Sequence, residues 1–285
     1  MNSAAWGKLA ALRAELCGLG SAAIAFSGGV DSTFLLRVAK EGLGGRVVAV
    51  TARSRSFPAR ELEAAAAFCR AEGVEHVVLD CEELDIPGFA DNPPDRCYLC
   101  KRNLFGKIAA LARGRGLSAV LDGTNRDDDG DWRPGRRAAR ELGVRSPLHE
   151  TGLGKDEIRA LSRAEGLPTA DKPSMACLAS RFPYGERITA EALDRVGRAE
   201  DWLRASFPGL GQVRVRSHGG TLARIEVAPS AIPRLASRAA EIADALRALG
   251  FAYVSLDLKG YRTGSMNEPL LSASGPAGHA TTRTP

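Results

Sequence analysis

Residues 23 to 40, AIAFSGGVDSTFLLRVAK, constrain the fold more than any other stretch of this chain. An apolar run from Ala22 to Phe26 stops at Ser27-Gly28-Gly29. Phe34, Leu35 and Val38 then recur at the three-to-four-residue spacing of a helix face, so a buried strand turns on two glycines into a helix. Such a junction leaves backbone N–H groups unpaired at the positive end of the helix dipole, where an anion binds. Gly28 and Gly29 let the backbone come close, and Ser27 and Ser32 add hydroxyls. Asp31, in the first helical turn, places a carboxylate where it would hold Mg2+ beside a phosphate chain. The lysine of a Walker loop is missing, and the spacing is too short for that motif or for the dinucleotide fingerprint. Transfer of a gamma phosphate or of hydride is therefore disfavoured.

The string SGGVDS resembles the PP-loop signature SGGxDS of ATP pyrophosphatases. The resemblance implies that the loop grips the beta and gamma phosphates of ATP, which leave together as pyrophosphate. An ordinary strand-turn-helix link with Asp31 as a helix-start residue is the plain alternative. The full string in its strand-to-helix setting favours the nucleotide.

Downstream, strands alternate with helices. RVVAVTARS reads as a second strand, PARELEAAAAFCRAEG as a helix ending at Gly73, HVVLD as a third strand, CYLCKRNLFGKIAALARGRG as a helix, and SAVLDGTNRDD as a fourth strand with a polar end. The alternation predicts an α/β fold, a doubly wound parallel sheet covered on both faces, with ligands at the carboxyl ends of its strands. Thr51, Gly123, Thr124 and Asn125 fall at those ends and are candidates for contacts to ATP, and Asp127 is a candidate to assist with the metal. Turn chemistry is the alternative for each. TADKPSMACLASRFPYGERIT is too polar and proline-bearing for a regular element, and a domain boundary is expected there. A smaller α+β domain follows: a helix near Ala190 to Ala205, a hairpin turning at Gly219-Gly220, a helix from about Pro229 to Leu249, and the strand FAYVSLDL. The expected division is 1–183 for the nucleotide domain and 184–271 for the smaller one, with 272–285 a loose tail.

Bulk properties agree with a soluble enzyme. Hydrophobic residues make up 44% and charged residues 26% of the 285, and no apolar run reaches the roughly 18 residues of a membrane helix. The N-terminus lacks the layout of an export signal, so a cytoplasmic location is expected. A formal charge of +5 suits anionic small partners, but no lysine-rich tail or aromatic RNA-binding motif argues for nucleic acid. In such a chain six cysteines point to core, metal or catalytic roles rather than disulfides. Cys97 and Cys100 are three apart and share a helix face, and Cys177 lies in the irregular connection expected to return over the strand ends. Three thiols with an open fourth position suit a 4Fe-4S cluster carrying an exogenous sulfide. A redox dithiol or zinc half-site plus a lone nucleophilic Cys177 is the alternative. Cys17, Cys69 and Cys81 read as core or incidental residues.

Taken together, SGGVDS, CYLCK, DGTNRDDDGDWRPGRRAARELGVRSPL, KPSMACLASRFPYGERIT, VRVRSHG and GYRTGSMNE resemble the LarE-type ATP-dependent sulfur transferases over nearly the whole chain. That resemblance implies a role in assembling the nickel-pincer nucleotide cofactor of lactate racemase. The implied substrate is a pyridinium mononucleotide with two carboxylates, each adenylated by ATP and then converted to a thiocarboxylate. It implies one of two sulfur sources: the cysteine matching Cys177 gives up its own sulfur, or all three cysteines hold a 4Fe-4S cluster that delivers sulfide. The presence of Cys97, Cys100 and Cys177 resembles the cluster type. Arg181, Arg214 and Arg216 are candidates for the substrate phosphate and carboxylates, because a planar guanidinium binds such groups through two hydrogen bonds. Ser180 adds a hydroxyl, and Glu200 stands where the family has a functional residue. Solvated surface charge is the alternative for the two strand arginines. A homo-oligomer and a sulfide or sulfur-donor protein are the partners left open. Competing classes are a PP-loop tRNA thiolase, an ammonia-dependent ligase, which leaves the cysteines unexplained, and a nucleotide sensor without turnover.

Overall fold

β1 (Ala22–Ala25) carries only small or branched apolar side chains, so it can be buried on both faces, and it lies inside a four-stranded parallel sheet. β2 (Val47–Arg53) and β3 (Glu75–Asp80) lie to one side of it and β4 (Ala119–Leu121) to the other, giving the order β3-β2-β1-β4. Because the chain leaves β1 in one direction and returns to its other edge, a crevice opens at the carboxyl ends between β1 and β4. This computed structural model describes residues 3–130 and 134–267.

The helices of this part are α1 (Ser3–Gly18), α2 (Val30–Leu43), α3 (Ala59–Glu72), α4 (Arg96–Gly114), the short α5 (Gly135–Glu141) and α6 (Pro147–Glu150), and α7 (Lys155–Ala164). Strand alternation sorts them into two cores. Ala22, Ile24, Val47 and Ala49 face Leu9, Leu12 and Leu16 of α1, Phe34 and Leu35 of α2, and Ile158 and Leu161 of α7. Ala23, Val48 and Val50 face Phe105 and Ile108 of α4. A one-residue slip of β1 would exchange the two sets, so the double burial fixes the register and the place where the strand stops.

The chain divides into two units. Met1–Ala179 with Gly185–Gly197 forms the first, and Ser180–Tyr184 with Arg198–Pro285 the second. Where the sequence suggests a single cut after residue 183, this grouping passes between units at 179/180, 184/185 and 197/198. α8 (Ala190–Ser206) begins in the first unit and ends in the second. The second unit holds a three-stranded sheet in the order β5-β6-β7. β5 (Val213–His218) and β6 (Leu222–Val227) form the expected antiparallel hairpin, with Gly219 and Gly220 at positive φ in its turn. Between β6 and β7 (Tyr253–Leu256), which pairs parallel to β6, the single long helix expected from Pro229 to Leu249 is broken. It consists of a 3-10 turn (Pro229–Ala231), α9 (Ile232–Ala236) and α10 (Ala239–Ala248). Just past the end of α9 the Ser237 hydroxyl donates to Arg234 O at 2.9 Å, giving that carbonyl a partner other than a helical amide. The expected tail, 272–285, lies outside the described residues. Among the described residues, no helix is long and apolar enough to cross a membrane.

Candidate functional site

α2 starts directly after Gly29 with no side-chain cap, so its first amides open into the loop. Gly28 adopts φ +65°, in the region that favours glycine, and a Cβ there would stand 3.3 Å from the Ala65 side chain of α3. Ser27 Oγ and Ser32 Oγ lie 3.1 Å apart, the Ser32 hydroxyl donates to Gly29 O at 3.3 Å, and Gly29 N–H donates to Ser27 Oγ at 3.4 Å. From the neighbouring strand, Gly123 comes so close to the helix start that a Cβ would meet Ser32 N at 3.0 Å. Residues 27–32 and Gly123 therefore form one loop system at the crevice.

The other candidates from the strand ends behave differently. Thr51 is buried and donates to Phe26 O at 2.7 Å, with His76 Nε2 2.8 Å from the same hydroxyl. Its hydroxyl thus joins β1 to β2, and burial, followed by the charge of Arg70, lowers the His76 imidazole. Thr124 donates to Asp122 at 2.8 Å, and the Asn125 side chain accepts from Asp127 N–H at 2.9 Å. These are turn bonds, and the backbone N–H groups of Thr124 and Asn125 are engaged as well, donating to Asp122 at 3.1 Å and to Asp128 at 2.9 Å. Asp127 accepts from the backbone N–H of Lys155 at 2.7 Å, the main reason its carboxyl sits below the usual range.

Two lysines that sequence reasoning missed flank the loop. Lys155, the first residue of α7, donates from Nζ to Asp31 Oδ2 at 2.6 Å, while Asp31 Oδ1 is buried with no hydrogen-bond partner. Lys172 donates to Gly28 O at 2.9 Å and pairs with Glu61 at 2.6 Å. A lysine thus stands on each of two sides of the loop, each paired with a carboxylate, and Asp31 Oδ1 is an oxygen that could meet a hard cation.

The three thiols come from two separate stretches of the chain. Cys97 and Cys100 lie in the first turns of α4, and Cys177 immediately precedes the 3-10 turn Leu178–Arg181. Leu178 N–H donates to Ser56 O at 2.8 Å, which ties this irregular segment to the loop after β2. Burial pushes the Cys100 thiol upward, and negative charge at Glu83, Cys177 and Cys97 adds to it, so these four groups share one neighbourhood. Among the described residues, no three or more His, Cys, Asp or Glu side chains are arranged around a single metal ion. A 4Fe-4S cluster asks something different, since each thiolate binds its own iron, and three thiols in one neighbourhood fit it in kind. Cys69 and Cys81 are buried and Cys17 is exposed; none of the six cysteines is in a disulfide.

In the second unit, buried arginines gather around two carboxylates. Arg181 and Glu200 are both fully buried and joined by two bonds of 2.7 and 3.1 Å; Arg204 adds a third at 3.2 Å. Burial would raise the Glu200 carboxyl, but Arg181, Arg204 and Arg214 outweigh it and hold the group below its ordinary value. Arg216 reaches Glu226 at 2.7 Å and Ser180 O at 3.0 Å, and Arg181 donates to the Ser180 hydroxyl at 2.8 Å. Arg214 lies 5.3 Å from the Tyr261 ring centroid and is pushed down to about 10, first by burial and then by the like charge of Arg181. These arginines are interior groups, not solvated surface charge.

The queuosine biosynthesis protein QueC family matches residues 21–89, which carry the loop and β1 to β3. An uncharacterized protein of Synechocystis is 46% identical over 265 residues, spanning 92% of this chain and 98% of that protein. The pyridinium-3,5-bisthiocarboxylic acid mononucleotide synthase of Lactiplantibacillus plantarum is 37% identical over 267 residues, 93% of this chain and 96% of its own. The chain belongs to the LarE family. It is an ATP-dependent sulfur transferase built on a PP-loop domain. The tRNA-specific 2-thiouridylase MnmA of Acidithiobacillus ferrooxidans, 32% identical, is matched over only 53% of this chain and 51% of its own length.

Within this LarE-family chain, the residues missed from sequence are Lys155, Lys172, Glu83 and Glu226. A weak signal existed for the first: GKDE places glycine, then a cation, then the Glu157 that returns to Gly154 N–H at 2.9 Å as helix caps do. The other three are single charges in unremarkable sequence, and only packing reveals their partners.

Proposed function

We propose that this LarE-family enzyme adenylates the carboxylates of a pyridinium dicarboxylate mononucleotide and converts them to thiocarboxylates, within assembly of the nickel-pincer nucleotide cofactor of lactate racemase. The near full-length match to the synthase that makes the bisthiocarboxylic acid mononucleotide carries the reading. The tRNA thiolase alternative rests on relatives matched over about half of the chain.

A carboxylate is a poor electrophile. Its oxygen attacks the alpha phosphorus of ATP, the bond to the beta phosphate breaks, and pyrophosphate leaves; sulfur then attacks the acyl carbon and AMP departs with the carboxylate oxygen. Ser27, Gly28, Gly29 and Ser32 would surround the leaving pyrophosphate with amides and hydroxyls, with the Gly123–Asn125 turn and Thr51 behind them. Asp31, with Asp127 assisting, would hold Mg2+ there. Lys155, released from Asp31, and Lys172 would add positive charge as the leaving group forms. Removing one donor aimed at a developing anion costs about 10² to 10³ in kcat. Ser180, Arg181, Arg214 and Arg216 would bind the substrate phosphate and carboxylates, with Glu200 fixing Arg181 so that its free edge is presented in one orientation.

Cys97, Cys100 and Cys177 would hold three irons of a 4Fe-4S cluster, which when bound supplies sulfur to the acyl adenylate. A sulfide or sulfur-donor partner would replenish it. Six cysteines outside any disulfide fit a reducing cytoplasm. The test is anaerobic incubation with the pyridinium diacid mononucleotide, ATP and sulfide. AMP, pyrophosphate and a product with sulfur in place of oxygen are expected, with Cys177 intact by mass spectrometry after several turnovers. ADP as the nucleotide product overturns the adenylation. Loss of the elements of hydrogen sulfide at Cys177 overturns the cluster route in favour of sacrifice of that cysteine.

A further inference from the structure

Glu83 lies beside Cys100, and the chemistry so far leaves it without a task. It follows β3 at the start of a 3-10 turn (Glu83–Asp85) and is 6% exposed. The hydroxyls of Ser54 and Ser56 both donate to its Oε1, at 2.8 and 2.6 Å, and Cys100 Sγ stands 4.0 Å from that oxygen. Its other oxygen, Oε2, is buried with no hydrogen-bond partner, and no lysine or arginine among the described residues forms an ion pair with it. A buried carboxylate oxygen without a donor is costly. A purely structural clamp between Ser54, Ser56 and the turn would need only Oε1. A buried carboxyl oxygen without a donor, on a side chain whose other oxygen stands 4.0 Å from Cys100 Sγ, calls for a cation-rich group.

We propose that the Glu83 carboxylate is the protein's oxygen ligand for the iron that Cys97, Cys100 and Cys177 leave without a thiolate. This rests on the cluster reading above. Carboxylate is a harder donor than thiolate or sulfide and binds the soft iron of a cluster weakly, so hydrosulfide displaces it. The exchange moves no electrons: one anion leaves the iron as another arrives, and Glu83 returns to its serine pair. The Ser54 and Ser56 bonds aim the carboxylate as outer hydrogen bonds aim other metal ligands.

The experiment is anaerobic reconstitution of the full-length wild type and Glu83→Gln with labelled iron, followed by Mössbauer and electron paramagnetic resonance spectroscopy. Wild type is expected to hold four irons, one spectrally distinct and altered by added sulfide. E83Q is expected to lose that iron at least about tenfold faster and give a three-iron signal. In oxygen-labelled water, no solvent oxygen should couple to the distinct iron of wild type, and a coupling should appear in E83Q. Equal iron retention in the two proteins, or solvent coupling in wild type, overturns the assignment of Glu83 and leaves the cluster standing. The wild-type measurement decides even if E83Q does not fold. A wild type that takes up no cluster overturns both this inference and the reading on which it rests.

Discussion

The loop around Asp31 holds its counter-ion before any nucleotide arrives. Lys155 bonds one carboxylate oxygen at 2.6 Å, and the other is buried and unsatisfied, so Mg2+ and phosphate arriving together would find an anion and a cation already placed. Replacing Lys155 by Met should reduce pyrophosphate release from ATP by about 10² or more while the circular dichroism spectrum stays native, because the side chain is partly exposed and packs no core. A coupled pyrophosphate assay decides it. Glu200 gives a second prediction of a different kind. Its carboxyl is held below the ordinary value of 4.5 by the arginines around it. The stability it contributes is thus present above that value and lost as pH falls through the lower folded one. Glu200→Gln removes this acid limb and leaves fully buried Arg181 without its carboxylate, a loss of about 3–5 kcal/mol measurable by denaturant melts at neutral pH. The melts of wild type and variant should converge toward acid pH.

Among the elements, the decisive arrangement is the approach of β4 to the N-terminus of α2. β1 and β4 pair in register from Ala22 with Ala119 to Ile24 with Leu121, and two residues further on Gly123 lies against Ser32. Any side chain there would crowd the helix start, since a Cβ would stand 3.0 Å from a backbone nitrogen. Gly123→Ala should shift the helix start by a few tenths of an ångström, raise the KM for ATP and slow pyrophosphate release. Iron uptake at the thiols should be unaltered, because α4 and the loop after β2 are untouched. Equal ATP kinetics for wild type and variant would mean that this close approach has no part in holding the nucleotide. The hairpin of β5 and β6 works by alternation: Arg214 and Arg216 are two apart and share a face, which lets Glu200 and Glu226 each compensate a buried guanidinium.

For the whole molecule, the proposed function makes activation and sulfur delivery separable. The PP-loop depends on β1, α2, β4 and α7, whereas the thiols depend on α4 and the segment around Cys177. Cys97→Ala should therefore abolish the visible absorbance of a reconstituted cluster and product thiocarboxylate, yet still release pyrophosphate when ATP and the diacid are supplied. Loss of both activities would show that the two are coupled. Much of this was legible from the chain alone. SGGVDS after an apolar run dictates a strand, a glycine turn and an anion-binding helix start, because those residues restrict the backbone locally, and strand-helix alternation dictates the parallel sheet. The sequence likewise picked out the three cysteines and the arginines, whose chemistry is distinctive by residue type. Tertiary structure alone decided the partners: that Lys155 sits on Asp31, that the Thr51 hydroxyl is committed to Phe26, and that Glu83 lies beside Cys100. Such pairings join residues tens to more than a hundred positions apart, and no local periodicity or propensity encodes which buried charge will find which neighbour once two sheet faces and their helices have closed.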